Sequence, residues 1–469
     1  MRRIPEGAAI LTADAMRAAE AAAFAAGTSQ AELMERAGVA VAAQVARLAS
    51  GRPVLVLAGP GNNGGDGYVA ARVLKRWGHD VALATFGHPA STVAKDMAAA
   101  WDGPTCDVHA ASPRPVLVDA LFGIGLSRPL DVAVTERMRV LGEAAELRIA
   151  VDLPTGLATD SGEDLGAGVP NDVTVALGAL KPAHVAGDMA HHCGHVLLAD
   201  IGLAAASSWR TLAQPPRRAP DASSHKYSRG MVVVLGGAMP GAAHLAARAA
   251  LHGGAGYVVL AGRTGASGPP ESIVRRTIAA DGLPELLEDE RVSTVLVGPG
   301  LGRDDDAHAI LDAAVRCDRS LVIDGDALTL LGRGATDRIA RRSAPTCLTP
   351  HGGEFGRMFA GAETGKIQRT TEAARACRAT IVHKGADTVV AQPDGGVEVS
   401  VRGTSWLSTA GSGDVLAGLI ASRWAGNHAD RGLIGEAVWL HGRSAELAGP
   451  AFAADDLIAH LPAALAECR

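Results

Sequence analysis

The sequence predicts an α/β protein folded as two doubly wound domains. Short apolar runs of the buried-strand kind recur along the chain, and each ends in a loop rich in glycine or aspartate that leads into a helical pattern. That series occurs twice. Between the two copies the composition shifts to Gln214-Pro215-Pro216-Arg217-Arg218-Ala219-Pro220, which should sustain neither helix nor strand. The expected division is a first domain at 1–206, a linker at 207–221 and a second domain at 222–469. A chain of 469 residues is in any case too long for one ordinary core.

Composition narrows the classes further. With 48% apolar and 20% charged residues the chain has a globular balance, and only 3% aromatics leaves Ala, Val and Leu to fill the cores. A net charge of −6 gives no support to nucleic-acid or membrane-surface binding. The six cysteines are scattered without a CxxC pair and read as reduced residues of a cytoplasmic protein. The longest stretch nearly free of charge, Arg229 to Arg248, contains Gly236, Gly237, Pro240 and Gly241, so it reads as strand, turn and helix start, not as a membrane span.

In chain order, residues 13–26 and 29–49 read as helices. The second opens on a capping box, Ser29 with Glu32, and carries the stripe Leu33, Ala37, Val41, Val45 and Leu48. Pro53 to Ala58 is a strand, followed by the loop Gly59-Pro60-Gly61-Asn62-Asn63-Gly64-Gly65-Asp66-Gly67 and a helix through Val69, Val73 and Trp77. Strand, glycine-rich loop and helix is how a doubly wound sheet builds a phosphate site. Two more strands end in carboxylates, Asp119 and Asp152. Each is either a site residue or a turn cap. Asn63, Asp119 and Thr155 offer oxygens suited to a hard cation. Lys181 reaches a substrate phosphate or is simply solvated. His191-His192-Cys193-Gly194-His195 has metal-ligating residue types, but its place before a strand reads as an ordinary turn.

The loops AGPGNNGGDG, DALFGIGLSRPL and VDLPTGLATDSGE resemble the Rossmann-like N-terminal epimerase domain of NAD(P)H-hydrate repair enzymes, over roughly residues 10 to 205. The resemblance implies a hydrated-nicotinamide site at Asn62, Asn63, Gly64, Gly65, Asp66, Gly123, Ile124, Gly125, Leu126, Ser127, Arg128, Pro129 and Asp152. It also implies K+ at Asn63, Asp119 and Thr155, where the family usually has Ser in the last position.

The second half repeats the alternation. Met231 to Leu235 is a strand, followed by Gly236 to Ala243 opening a helix. Further strand-end loops are Gly298-Pro299-Gly300-Leu301-Gly302, Asp324-Gly325-Asp326, Leu348-Thr349-Pro350-His351-Gly352-Gly353-Glu354 and His383-Lys384-Gly385-Ala386-Asp387-Thr388. Ala410-Gly411-Ser412-Gly413-Asp414 then opens an apolar helix, where free N–H groups and the helix dipole favour an anion. A carboxylate there, Asp414, either exchanges a proton with a substrate hydroxyl beside the phosphates or caps the helix.

SHKYSRG, GPGLG, LTPHGGE, HKGADTVV and AGSGD together resemble the ADP-dependent NAD(P)H-hydrate dehydratases of the ribokinase-like superfamily, over roughly residues 222 to 466. The resemblance implies Ala243, Gly300, His351 and Asp414 around the hydrate, with Lys384, Gly385, Ala386, Asp387, Thr388 and Gly413 around the nucleotide. His351 also fits a packed or solvated residue. On this reading Asp152 shuttles protons during epimerisation and Asp414 is the base of dehydration. ADP is the phosphoryl donor, with Mg2+. The expected partners are the small molecules NADHX, NADPHX and ADP, with no nucleic acid and no membrane, in a homo-oligomer. The alternative is an ATP-dependent vitamin-precursor kinase carrying a regulatory N-terminal module.

Overall fold

A computed structural model describes residues 3–262, 269–359, 361, 364–427, 430 and 432–469. The chain forms two compact units, Met1–Thr211 and Leu212–Arg469.

In the first unit, α1 (Ala13–Ala25) and α2 (Gln30–Ala49) precede β1 (Val54–Ala58), α3 (Asn62–Arg76), β2 (Val81–Thr85) and α4 (Thr92–Ala99). Then come β3 (Thr105–Asp107), β4 (Val116–Ala120), α5 (Val132–Ala144), β5 (Leu147–Val151), β6 (Val173–Leu177), α6 (Pro182–Val185), β7 (His195–Ala199) and β8 (Trp209–Thr211). The sheet runs β3-β2-β1-β4-β5-β6-β7 with every pair parallel. Both faces of its centre are covered, so β1, β4 and β6 are buried along their whole length. Val54, Val56 and Ala58 pack with Leu33, Val41 and Val69 of α2 and α3, while Leu55 and Leu57 pack with Val134, Met138 and Leu141 of α5. Chain order reverses between β1 and β4, and the crevice outside the carboxyl ends of such strands is where this architecture binds ligands.

Three expectations change here. The capping box is half formed: Ser29 Oγ accepts from the Glu32 amide at 3.1 Å, but the Glu32 carboxylate pairs with Arg36. The glycine-rich loop is shorter than expected, because Gly61 in extended conformation caps α3 and the helix begins at Asn62. The expected linker contains a strand. Trp209 O accepts from Ile10 N at 2.9 Å and Thr211 N donates to Ala8 O at 3.0 Å. Residues flanking Pro215 and Pro216 therefore need not be free, and the Pro215 carbonyl accepts from Arg469 N at 3.3 Å.

The second unit contains β9 (Met231–Gly236), α7 (Pro240–His252), β10 (Tyr257–Gly262), β11 (Ile273–Thr277), α8 (Leu283–Glu288), β12 (Val292–Val297), α9 (Asp305–Arg316), β13 (Ser320–Ile323) and α10 (Gly325–Leu331). It continues with α11 (Ala335–Ala340), β14 (Thr346–Leu348), α12 (Gly352–Met358), α13 (Lys366–Cys377), β15 (Thr380–His383), β16 (Val389–Ala391), β17 (Val397–Val399), α14 (Ser412–Ala425), α15 (Gly432–Ala448) and α16 (Ala454–Ala466). Its strands run β11-β10-β9-β12-β13-β14-β15-β16-β17, parallel through β15 and antiparallel thereafter. Here the order reverses between β9 and β12. Helix α14 is buried along most of its length, with Trp424 fully enclosed, so its first turn is held firmly at the mouth of the sheet. Among the described residues no helix is long and apolar enough to cross a membrane.

Candidate active sites

In the first unit the loops after β1, β4 and β5 meet as the topology requires. Gly59 donates its amide to Ala120 O at 3.1 Å, and a side chain there would collide with the Leu121 carbonyl at 1.8 Å. Outside these loops lies a cavity of about 600 Å3, lined by Asn62, Asn63, Asp66, Gly123, Ile124, Gly125, Leu126 and Asp152, with Met16, Glu20 and Phe24 from α1. Gly64 and Gly65 do not line it. They face inward from α3, where a Cβ would stand 1.9 Å from Gly59 O and 2.5 Å from Met34 Sδ respectively. Ser127, Arg128 and Pro129 are also outside the lining.

Asp152 sits just beyond β5 with φ of +62°, a left-handed conformation seldom taken by a residue with a side chain. Its carboxylate accepts from Leu177 N at 3.0 Å and from Lys181 Nζ. Lys181 is fully buried, and its remaining N–H groups donate to the Leu177 and Ala179 carbonyls at 2.9 and 3.1 Å. Both sequence readings of Lys181, phosphate contact or solvated residue, are therefore replaced by a buried ion pair. His184 completes the support. Its Nδ1 accepts from Lys181 N at 2.9 Å, which leaves the proton on Nε2 to bond Asp152 O at 2.6 Å.

Beside this group, Asp119 is 2% exposed and bound by Thr155 on both oxygens, hydroxyl to Oδ1 at 2.7 Å and amide to Oδ2 at 2.8 Å. Burial pushes the Asp119 carboxyl up, against the bonds from Thr155 and Leu121. The Thr155 hydroxyl also accepts from Phe122 N at 3.0 Å, and Phe122 adjoins Gly123, which packs on the Asn63 amide. Asn63 Nδ2 is buried with no hydrogen-bond partner. Turned half over, that amide would present its carbonyl oxygen to the same space. These oxygen donors fit a large hard cation. The histidine segment forms a 3-10 turn ahead of β7, and among the described residues no metal-competent group of three His, Cys, Asp or Glu is present.

In the second unit the loop ends are similarly compressed. A Cβ on Gly298 would lie 1.7 Å from Asp324 O, one on Gly237 2.0 Å from Leu301 O, and one on Gly300 2.1 Å from Met239 O. Asp324, 2% exposed at the end of β13, accepts from Lys384 Nζ and Thr349 Oγ1, both at 2.7 Å. Lys384 opens the β15–β16 connection, and its amide is tied to Pro350 O at 2.8 Å. A Cβ on Gly413 would stand 3.3 Å from Lys384 Nζ, so the lysine reaches the first turn of α14. Asp414 is on that turn. Burial first and the Asp324 charge second raise it to about 6, with Lys384 opposing. His441, buried and held down to about 4, is the neutral donor to Ser412 O at 3.0 Å.

The nucleotide loop expected at 384–388 is a hairpin connection held both by its own residues and by α13. Thr388 Oγ1 donates to Gly385 O at 3.0 Å, and Asp387 pairs with Lys366 of α13. His351 caps α12 with its side chain 56% exposed, and its backbone bridges to Lys384. Ala243 is fully buried in the core on α7.

The match to known proteins covers both units. Residues 30–183 fit the family model described as YjeF-related protein N-terminus, and 231–466 that described as NAD(P)H-hydrate dehydratase. The bifunctional NAD(P)H-hydrate repair enzyme of Mycobacterium tuberculosis is 36% identical over 443 residues, covering 87% of each chain. Those of Thermofilum pendens (33%, 94% of this chain and 93% of that one) and Gloeobacter violaceus (36%, 91% of each) match over similar spans. This chain belongs to the bifunctional NAD(P)H-hydrate repair enzymes. Among solved structures, a ribokinase-like superfamily protein from Enterococcus faecalis overlays 55% of this chain and 96% of its own (25% identity, TM-score 0.49). The Bacillus subtilis ADP/ATP-dependent NAD(P)H-hydrate dehydratase overlays 55% and 95% (28%, TM-score 0.46).

In this repair-enzyme chain, sequence reasoning missed Glu20, Lys181 as a counter-ion, Asp324 and Lys366. Asp324 had a signal, because it ends a strand in the manner of Asp119. Glu20 and Lys366 had none, since only the tertiary fold brings their helices to the sites.

Proposed function

We propose that the first unit interconverts the two epimers of hydrated NADH and NADPH, and that the second dehydrates the S epimer with ADP, yielding AMP and phosphate. The observation that carries the reading is the pairing, beyond the carboxyl ends of the strands of each unit, of a buried aspartate with a lysine: Asp152 with the buried Lys181, and Asp324 with the partly buried Lys384 beside Asp414. In the first unit Asp152 is the base at a largely apolar cavity that takes the nicotinamide ring. Asn63, Asp119 and Thr155 would hold K+, whose charge fixes the loops bordering that cavity.

In the second unit Lys384 and the first-turn amides of α14 bind phosphate oxygens. Asp414 takes the proton from the hydrate hydroxyl as that oxygen attacks the terminal phosphorus of ADP. Hydroxide is a poor leaving group and phosphate a good one, so its departure restores the ring double bond. Mg2+ would arrive on the nucleotide, its shell completed by Asp324 or Asp326, since this ion characteristically takes phosphates plus one or two carboxylates. Incubating the protein with mixed epimers and ADP, and following recovery of reduced-nicotinamide absorbance, tests the whole scheme. Full recovery from both epimers is expected. Accumulation of a stable phosphorylated product would mark a kinase instead.

A further inference from the structure

Glu20 on α1, Asp66 on α3 and Asp152 after β5 all line the same cavity of the first unit. Against these carboxyl groups stands one buried cation, Lys181, whose N–H groups are already used on Asp152, Leu177 O and Ala179 O. Arg17 also borders the cavity but is half-exposed and paired with Asp14 at 2.6 Å. Three carboxylates cannot all remain ionised around one buried lysine in a mostly apolar enclosure. The most enclosed one without that lysine is Asp66, at 9% exposure.

We propose that Asp66 is a second catalytic residue of the first unit, a neutral carboxylic acid that donates a proton to the hydroxyl leaving the hydrate ring, while Asp152 accepts a proton from the water that returns. This rests on the epimerase reading above. Inverting one carbon requires bond breaking on one face and bond making on the other. The Asp66 proton goes to the hydroxyl oxygen, the carbon–oxygen bond breaks, and its electrons leave with water. The ring nitrogen lone pair forms the carbon–nitrogen double bond left behind. Water then adds to the opposite face and gives its proton to Asp152. One proton has passed from Asp66 to Asp152, and Glu20, partly exposed at the cavity, returns it through solvent. The groups facing Asp66 are Asp152, Glu20 and Lys181. Burial first, then the two carboxylates, push Asp66 well above the usual range, and Lys181 offsets part of this. Glu20 is raised as well, by burial and Asp152, against Lys181 and Arg17.

The test uses the full chain and one pure epimer in water labelled with oxygen-18. Wild type should place label on the ring hydroxyl in step with inversion, with a rate that falls as pH rises and Asp66 loses its proton. Asp66→Asn should invert ~10²- to 10⁴-fold more slowly and lack that fall with rising pH, while melting no lower than wild type. Glu20→Gln should be slowed and partly rescued by small buffer acids. Inversion without label, or Asp66→Asn at the wild-type rate with the same fall at rising pH, overturns the proposal alone. A wild-type chain that inverts neither epimer overturns the epimerase reading itself.

Discussion

Replacing Lys181 with Met tests the support of the first site directly. The side chain of Lys181 is fully buried and that of Asp152 is 11% exposed, so the substitution leaves a buried carboxylate without its counter-charge. Breaking such a pair from one side costs about 3–5 kcal/mol, and two carbonyls lose a charged donor as well. A unit of this size loses roughly 2–4 °C per kcal/mol, so a drop of roughly 6–20 °C is expected for the first-unit transition. The deficit should depend on pH. An unpaired buried carboxylate binds a proton more readily folded than unfolded, so the variant loses stability as pH rises and regains it on acidification. The double variant with Asp152→Asn should be more stable than Lys181→Met alone, because the stranded charge has gone. Calorimetry across pH 4 to 9 gives all of these. Melting within a degree or two of wild type at neutral pH would show that the ion pair contributes nothing, and the role given to Lys181 would fall.

Asp414→Asn should lower dehydration by at least ~10²-fold and leave epimerisation intact, as read from separate assays of the two reactions. Because the Asp414 carboxyl is raised to about 6, wild-type dehydration should climb through that pH and level off above it. The same shift makes the folded state bind the extra proton, so wild type loses stability as pH rises through about 6, and the Asn variant should melt at least as high above it. Gly64→Ala, whose Cβ would meet the Gly59 carbonyl, should destabilise the first unit by ~2 kcal/mol or more in urea, while Gly65→Ala meets the flexible Met34 and should cost less than ~1 kcal/mol. Thr155→Val strands Asp119 and should cost about 2 kcal/mol and abolish any K+ stimulation of epimerisation, whereas Thr155→Ser should preserve both.

Several strands, among them β1, β4, β5, β9 and β12, were legible because each is an apolar run, such as Val54–Ala58, that leads into a loop rich in glycine or aspartate. What the sequence cannot carry is the depth of a charged side chain. Lys181 follows an apolar strand and precedes a proline, a pattern equally compatible with solvent. It is buried because Asp152, 29 residues earlier, waits in a left-handed conformation to receive it. Asn62 to Gly67 read as loop because glycine and asparagine are poor helix formers. Tertiary packing overrides propensity there, since only glycine lets α3 settle against Gly59 and α2. The same logic explains Trp209–Thr211. Nothing local favours a strand so near the prolines, but Ala8 and Ile10 supply the backbone partners.

That last contact places the entrance and the exit of the first unit side by side: Ala8 N donates to the Thr211 hydroxyl at 3.0 Å, and the hydroxyl in turn donates to Pro5 O at 2.7 Å. A module whose two ends are stitched together behaves as a closed cassette. A short bridge could join the segment near Arg3 to Thr211 and new ends could be opened in a surface loop with the sheet order preserved. The same closure lets such a module be fused ahead of a partner enzyme, or parted from it, with its sheet intact.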